Sequence, residues 1–117
     1  MAEGTAHEGQ IRRVSAAAMT IERENAMDEA IVRKHIFFSG DVQGVGFRFR
    51  SYHIAQSLGL TGWVENMWDG RVEMEVQGTE RTIQELLIRI RRQRWIEVTD
   101  LEMSEIPCID ESGFHIR

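Results

Sequence analysis

From Ile31 onward the hydrophobic positions change period along the chain, and each period predicts an element. The eight-residue run Ile31 to Phe38 holds Ile36, Phe37 and Phe38 and is closed by Ser39 and Gly40, the mark of a buried strand. Past a glycine-bearing stretch from Asp41 to Gly46, the spacing of Phe47, Ser51, Ile54, Ala55 and Leu58 is helical, and Gly59 stands where such a helix stops. Asp69-Gly70 after Trp68 separates extended segments at Gly62 to Met67 and Arg71 to Gln77, a hairpin signal. In the second arm Val72, Met74 and Val76 alternate with charged or polar neighbours, giving one apolar and one wet face. Thr79 is the expected N-cap of a second helix with Ile83, Leu86, Leu87 and Ile90 inward. Val98, Leu101 and Met103 predict a further strand, irregular around Asp100, and Phe114 and Ile116 a short last one.

The order is β-α-β-β-α-β with a terminal strand. It predicts an α+β, ferredoxin-like domain: an antiparallel sheet of four to five strands with both helices on one face. The first 30 residues differ in texture, with three arginines against six acidic residues and no aromatic anchor. They are expected to form a flexible or loosely helical extension (1–30) ahead of the domain proper (31–117). Met19 and Met27 leave open a later natural start.

Composition narrows the class. The chain has 117 residues, 42% hydrophobic and 28% charged, with a net charge of −5. That is one soluble domain, too short for two. No apolar run approaches the roughly 18 residues that cross a bilayer, so no membrane partner is expected. The single cysteine, Cys108, makes no internal disulfide and favours a cytoplasmic location.

The segment that carries chemistry is Gly40-Asp41-Val42-Gln43-Gly44-Val45-Gly46-Phe47-Arg48, between a strand and a helix start. Glycines accept positive φ, so successive N–H groups can converge on one point; the helix opening adds unpaired donors and the positive end of its dipole. Arg48 in the first turn offers a planar fork matched to phosphate or carboxylate oxygens. Rival phosphate motifs fail on single residues. A P-loop needs Lys at its end, but the chain's one lysine is Lys34, upstream; the dinucleotide fingerprint needs a third glycine where Phe49 stands. Taken alone, two glycines in such a connection also fit a plain tight turn. Asn66 alone fits a strand-end residue that bonds its own backbone.

Two ordered motifs, Gly40 to Arg48 and then Gly62-Trp63-Val64-Glu65-Asn66 with Asp69-Gly70-Arg71-Val72, resemble the signature of the acylphosphatases in its small stand-alone form. The resemblance implies a hydrolase, free of metal and cofactor, that splits a small-molecule acyl phosphate into carboxylate and inorganic phosphate. It implies that Arg48 binds the phosphoryl group and Asn66 positions the attacking water. Gln43, Gly44, Val45, Gly46 and Phe47 would bind substrate through backbone N–H groups. A monomer is expected. Asp41 departs from the pattern by adding a carboxylate to an anion loop, and solvent exposure is its expected fate.

Other features are read as structural. His7, His35, His53 and His115 do not share metal-ligand spacing, and Cys108 next to Pro107 lacks a basic neighbour. Trp63, Trp68 and Trp95 are expected in the core or at its rim. Arg89, Arg91, Arg92 and Arg94 invite a nucleic-acid reading, but cations also complement a helix C-terminus. An RNA-binding module of this element order would carry stacking aromatics on its third strand, where this chain has Val72, Glu73, Met74 and Glu75, so no nucleic acid is expected. A non-catalytic anion-binding domain and an RNA-binding βαββαβ module are the alternatives.

Overall fold

The computed structural model describes residues 11–14 and 29–117. The strands are β1 (Ile11–Val14), β2 (Ile31–Asp41), β3 (Thr61–Asn66), β4 (Val72–Thr79), β5 (Glu97–Ile106) and β6 (Phe114–Ile116), with helices α1 (Phe47–Ser57) and α2 (Glu80–Arg91). They form one sheet in the order β1-β5-β2-β4-β3-β6. The central pairs are antiparallel, with Ile36 opposite both Met74 and Met103. The alternating residues of the sheet supply its apolar face: Ile36, Phe38, Val64, Val72, Met74, Val76, Leu101 and Met103 are buried there in one cluster with Phe47, Ala55, Ile83, Leu86, Leu87 and Ile90 of the helices. Thr79 caps α2, accepting a hydrogen bond from the Thr82 N–H.

The architecture is the ferredoxin-like α+β fold, with a broader sheet than expected. Ile11–Val14, inside the segment expected to be a flexible extension, pairs antiparallel with β5 along Leu101 to Ser104. The rest of that expectation, including Met19, Met27 and His7, lies outside the described residues. At the other edge β6 joins β3 in parallel, so the sheet is mixed, not purely antiparallel. The return to β3 is possible because residues 107–113 cross the far face of the sheet first. There Arg33, 1% exposed, donates to Glu75 at 2.9 Å, Gln77 at 3.1 Å and Glu111 at 2.9 Å. Gln77 also exchanges hydrogen bonds with the Ile109 backbone at 2.9 and 3.0 Å.

The irregularity around Asp100 is a bulge. Ser39 pairs with Asp100 but Gly40 with Val98, so Thr99 is the extra residue, which lets Val98 and Leu101 both face inward. Of the tryptophans only Trp63 is buried, under the Arg117 guanidinium at 4.1 Å. Trp68 and Trp95 depart from expectation, at 94% and 72% exposed. Trp68 stands at the hairpin turn, and Trp95 in the turn leaving α2 at φ 75°, both beyond the reach of the core.

Candidate active site

The connection from β2 to α1 is shaped by glycines at two critical points. Gly40 has φ 125°, and a Cβ there would run into the Glu97 carbonyl across the bulge, so the chain turns out of β2 only with glycine present. Val42 then plugs the core, and Gly44 and Gly46 follow at φ 75° and 83°. Gly46 is the N-cap of α1; it offers no side-chain cap, and the first turn holds no acidic residue. The helix ladder begins with Arg50 N–H to Gly46 O at 3.0 Å. The N–H groups of the turn ahead of it therefore have no intrahelical acceptor, and the positive end of the dipole lies open.

Beside this opening, Val42, Gly44, Gly46, Phe47, Arg48, Phe49, Asn66 and Ile116 line a cavity of about 270 Å³. Asn66 reaches it as the last residue of β3, and Ile116 through the parallel pairing of β6. Phe47 anchors the helix start, buried edge-on against Phe38 at 4.8 Å between centroids. Arg48 donates to the Arg117 main-chain oxygen at 3.0 Å, which holds its fork at the cavity and leaves further N–H donors.

Arg48 and Asn66, expected as the phosphoryl binder and the water positioner, thus line one cavity with Gly44, Gly46 and Phe47. Gln43 and Val45 are expected to act through their backbone N–H groups, and their side chains serve other contacts. The Gln43 side chain turns to the hairpin, donating to Met67 O at 2.7 Å and Arg71 O at 2.8 Å, and Val45 packs against the core. Asp41 is exposed. Phe49 and Ile116 are lining residues that sequence reasoning missed. An aromatic on the polar side of a helix marks Phe49, whereas Ile116 has no local signal because its position depends on the strand crossing.

The remaining chemistry-bearing residues lie elsewhere. His35 meets Glu73 at 2.7 Å, His115 the Ser112 carbonyl at 2.9 Å, and Cys108 is exposed with its thiol 3.5 Å from Ile31 O. Arg89 pairs with Glu85 at 2.9 Å within α2.

An uncapped helix start behind two left-handed glycines, with a guanidinium and an amide at one cavity, gives an α+β domain whose site presents main-chain N–H donors and a cation, chemistry complementary to an anion. The sequence profile of the acylphosphatase family matches residues 34–116, and the chain belongs to that family. An acylphosphatase of Bifidobacterium longum is 45% identical over 84 residues, covering 71% of this chain and 87% of its own. The solved structure of an acylphosphatase from Coxiella burnetii superposes with a TM-score of 0.69 at 34% identity, covering 74% of this chain and 93% of its own. That of an acylphosphatase from Bacillus subtilis gives the same score at 33% identity, covering 74% and 98%. Hydrolysis of acyl phosphates is the chemistry of this family and of this chain.

Proposed function

We propose that the carboxyl–phosphate bond is hydrolysed in the cavity at the start of α1, with the phosphoryl oxygens held by the backbone from Gln43 to Phe47 and by Arg48. Asn66 orients the attacking water. The supporting observation is that Arg48 and Asn66, from separate elements, line one cavity with the uncapped helix start. Water attacks phosphorus, the P–O bond to the acyl group breaks, and the carboxylate leaves with the bonding electrons. A carboxylate needs no acid to leave, so catalysis rests on positioning and on spreading the phosphoryl charge. The Asn66 amide directs water without taking its proton, which passes to a phosphoryl oxygen. Among the described residues the lining offers N–H donors and a guanidinium, and no carboxylate, imidazole or thiol, a donor set suited to an anion and not to a metal ion.

The domain that does this is taken as residues 31–117, preceded by the 1–30 extension from which Ile11–Val14 reach β5. It acts as a cytoplasmic monomer on a small acyl phosphate, with neither nucleic acid nor membrane as partner. The charged and apolar alternation of β4, which leaves no aromatic stacking platform on that strand, supports the reading without nucleic acid.

The test is hydrolysis of benzoyl phosphate with EDTA present, comparing the full chain with Arg48→Ala and Asn66→Ala. Turnover of the wild type is expected to survive the chelator. Loss of a charge-assisted hydrogen bond of about 1.5–3 kcal/mol predicts that Arg48→Ala lowers kcat/KM by about 10- to 150-fold. Asn66→Ala is expected to lower kcat with a smaller effect on KM. Variants that keep wild-type rates while folded would refute these roles.

A further inference from the structure

Phe49 has a second neighbourhood. With Arg50, His53, Ile54 and Gln93 it lines another cavity, of about 280 Å³, so the phosphoryl cavity and this one share a wall. The walls are largely aromatic and aliphatic: Phe49 and His53 meet edge to face at 4.3 Å, and Ile54 is packed against the core. Arg50 is the charged member. Its side chain folds back over the cradle, so that a Cβ on Gly46 would lie 3.4 Å from Nε, and its Nη1 donates to Gln93 Oε1 at 3.1 Å.

That guanidinium is poorly placed for stability. It stands in the first turn of α1 beside Arg48, at the positive end of the helix dipole, with no acidic residue in the turn. Among the described residues its hydrogen-bond partner is the neutral Gln93 amide, which fixes its direction without neutralising it. A cation held over a cradle glycine and lining a partly apolar cavity fits an anionic group carried on an apolar body. An acyl phosphate seated by its phosphoryl end must project its acyl part away from the cradle, and across Phe49 lies a cavity of suitable character.

We propose that this second cavity receives the acyl group, and that Arg50 selects acyl phosphates whose acyl part carries a second negative charge, a distal carboxylate on an aromatic or short aliphatic body. The inference rests on the reading that the phosphoryl group occupies the cradle. Gln93 is a positioning residue that acts through Arg50.

Benzoyl phosphate and 4-carboxybenzoyl phosphate are a matched pair for the test, since the second differs by one carboxylate that cannot close a ring onto the anhydride. At low salt the wild-type chain is expected to favour the carboxylated substrate in kcat/KM by about three- to fivefold, the scale of an exposed charge pair. The preference is expected to fade in 1 M salt, to vanish in Arg50→Gln, and to persist in part in Arg50→Lys. Equal rates for both substrates in the wild type, or equal losses for both in Arg50→Gln, would overturn the subsite and leave the phosphoryl site standing. No hydrolysis of either substrate by folded wild type would overturn both.

Discussion

The Gln43 amide donates to both carbonyls that frame the hairpin turn, Met67 O and Arg71 O, and so ties the phosphoryl loop to the end of the strand that carries Asn66. Gln43→Leu removes two hydrogen bonds while each carbonyl keeps one backbone donor, Gly70 N–H to Met67 O at 3.3 Å and Met67 N–H to Arg71 O at 2.9 Å, for an expected loss of about 1–3 kcal/mol in denaturant unfolding. It should also raise KM for benzoyl phosphate. Gly62 is less forgiving. Its φ is 142° and a Cβ would strike the Glu75 carbonyl of the neighbouring strand, so Gly62→Ala is expected to destabilise by about 2–4 kcal/mol in thermal or chemical melts. Asp41 faces water, and Asp41→Asn should leave KM unchanged at physiological salt, where its field is screened. At this scale the glycines of the loop were legible as such, because positive φ is a local demand. The side chain of Gln43 was not: within the motif it reads as part of the cradle, and its partners, Met67 and Arg71, come near only when the hairpin folds against the loop.

Elements were legible wherever one period ran unbroken. Alternation gave β4, the three-and-four spacing gave α2 with its Thr79 cap, and Asp69-Gly70 gave the hairpin. The broken alternation near Asp100 marked a bulge whose register only the pairing with β2 defines. Arg33 was opaque, since a lone arginine in a strand gives no hint that residues 107–113 will cover it. Its burial with Glu75 and Glu111 predicts that Arg33→Met costs about 3 kcal/mol or more in urea unfolding, because two carboxylates lose their cation. Turnover of the folded fraction should hold, since that network lies on the sheet face away from the helices. The hairpin carries a milder pH dependence. The Arg71 N–H, and then its guanidinium, hold the Asp69 carboxyl below its ordinary value of 3.8. The folded pKa is the lower one, so the contribution is present above about pH 4 and is lost as pH falls through the folded value. The gap in urea midpoint between wild type and Asp69→Asn should therefore close on acidification.

Across the whole molecule, the phosphoryl cavity draws on the β2–α1 loop, the end of β3 and the last strand, residues as distant as Val42 and Ile116. Two motifs pointed to most of it, and the rest came from Phe49, one residue past the first motif, and from the parallel docking of β6, which has no period to announce it. An anion site divided in this way exists only in the folded chain, so under the proposed function inorganic phosphate is expected to bind the native state alone. At ten times its Kd, phosphate adds RT ln 11, about 1.4 kcal/mol, which raises the melting temperature of a domain this size by about 6–11 °C. Differential scanning fluorimetry should show that rise in the wild type and lose most of it in Arg48→Ala. Phosphate is also what the reaction releases, so under the proposed function the ion expected to protect the fold is expected to compete with the next substrate molecule, and a phosphate-rich solution to hold the enzyme sturdier and slower at once.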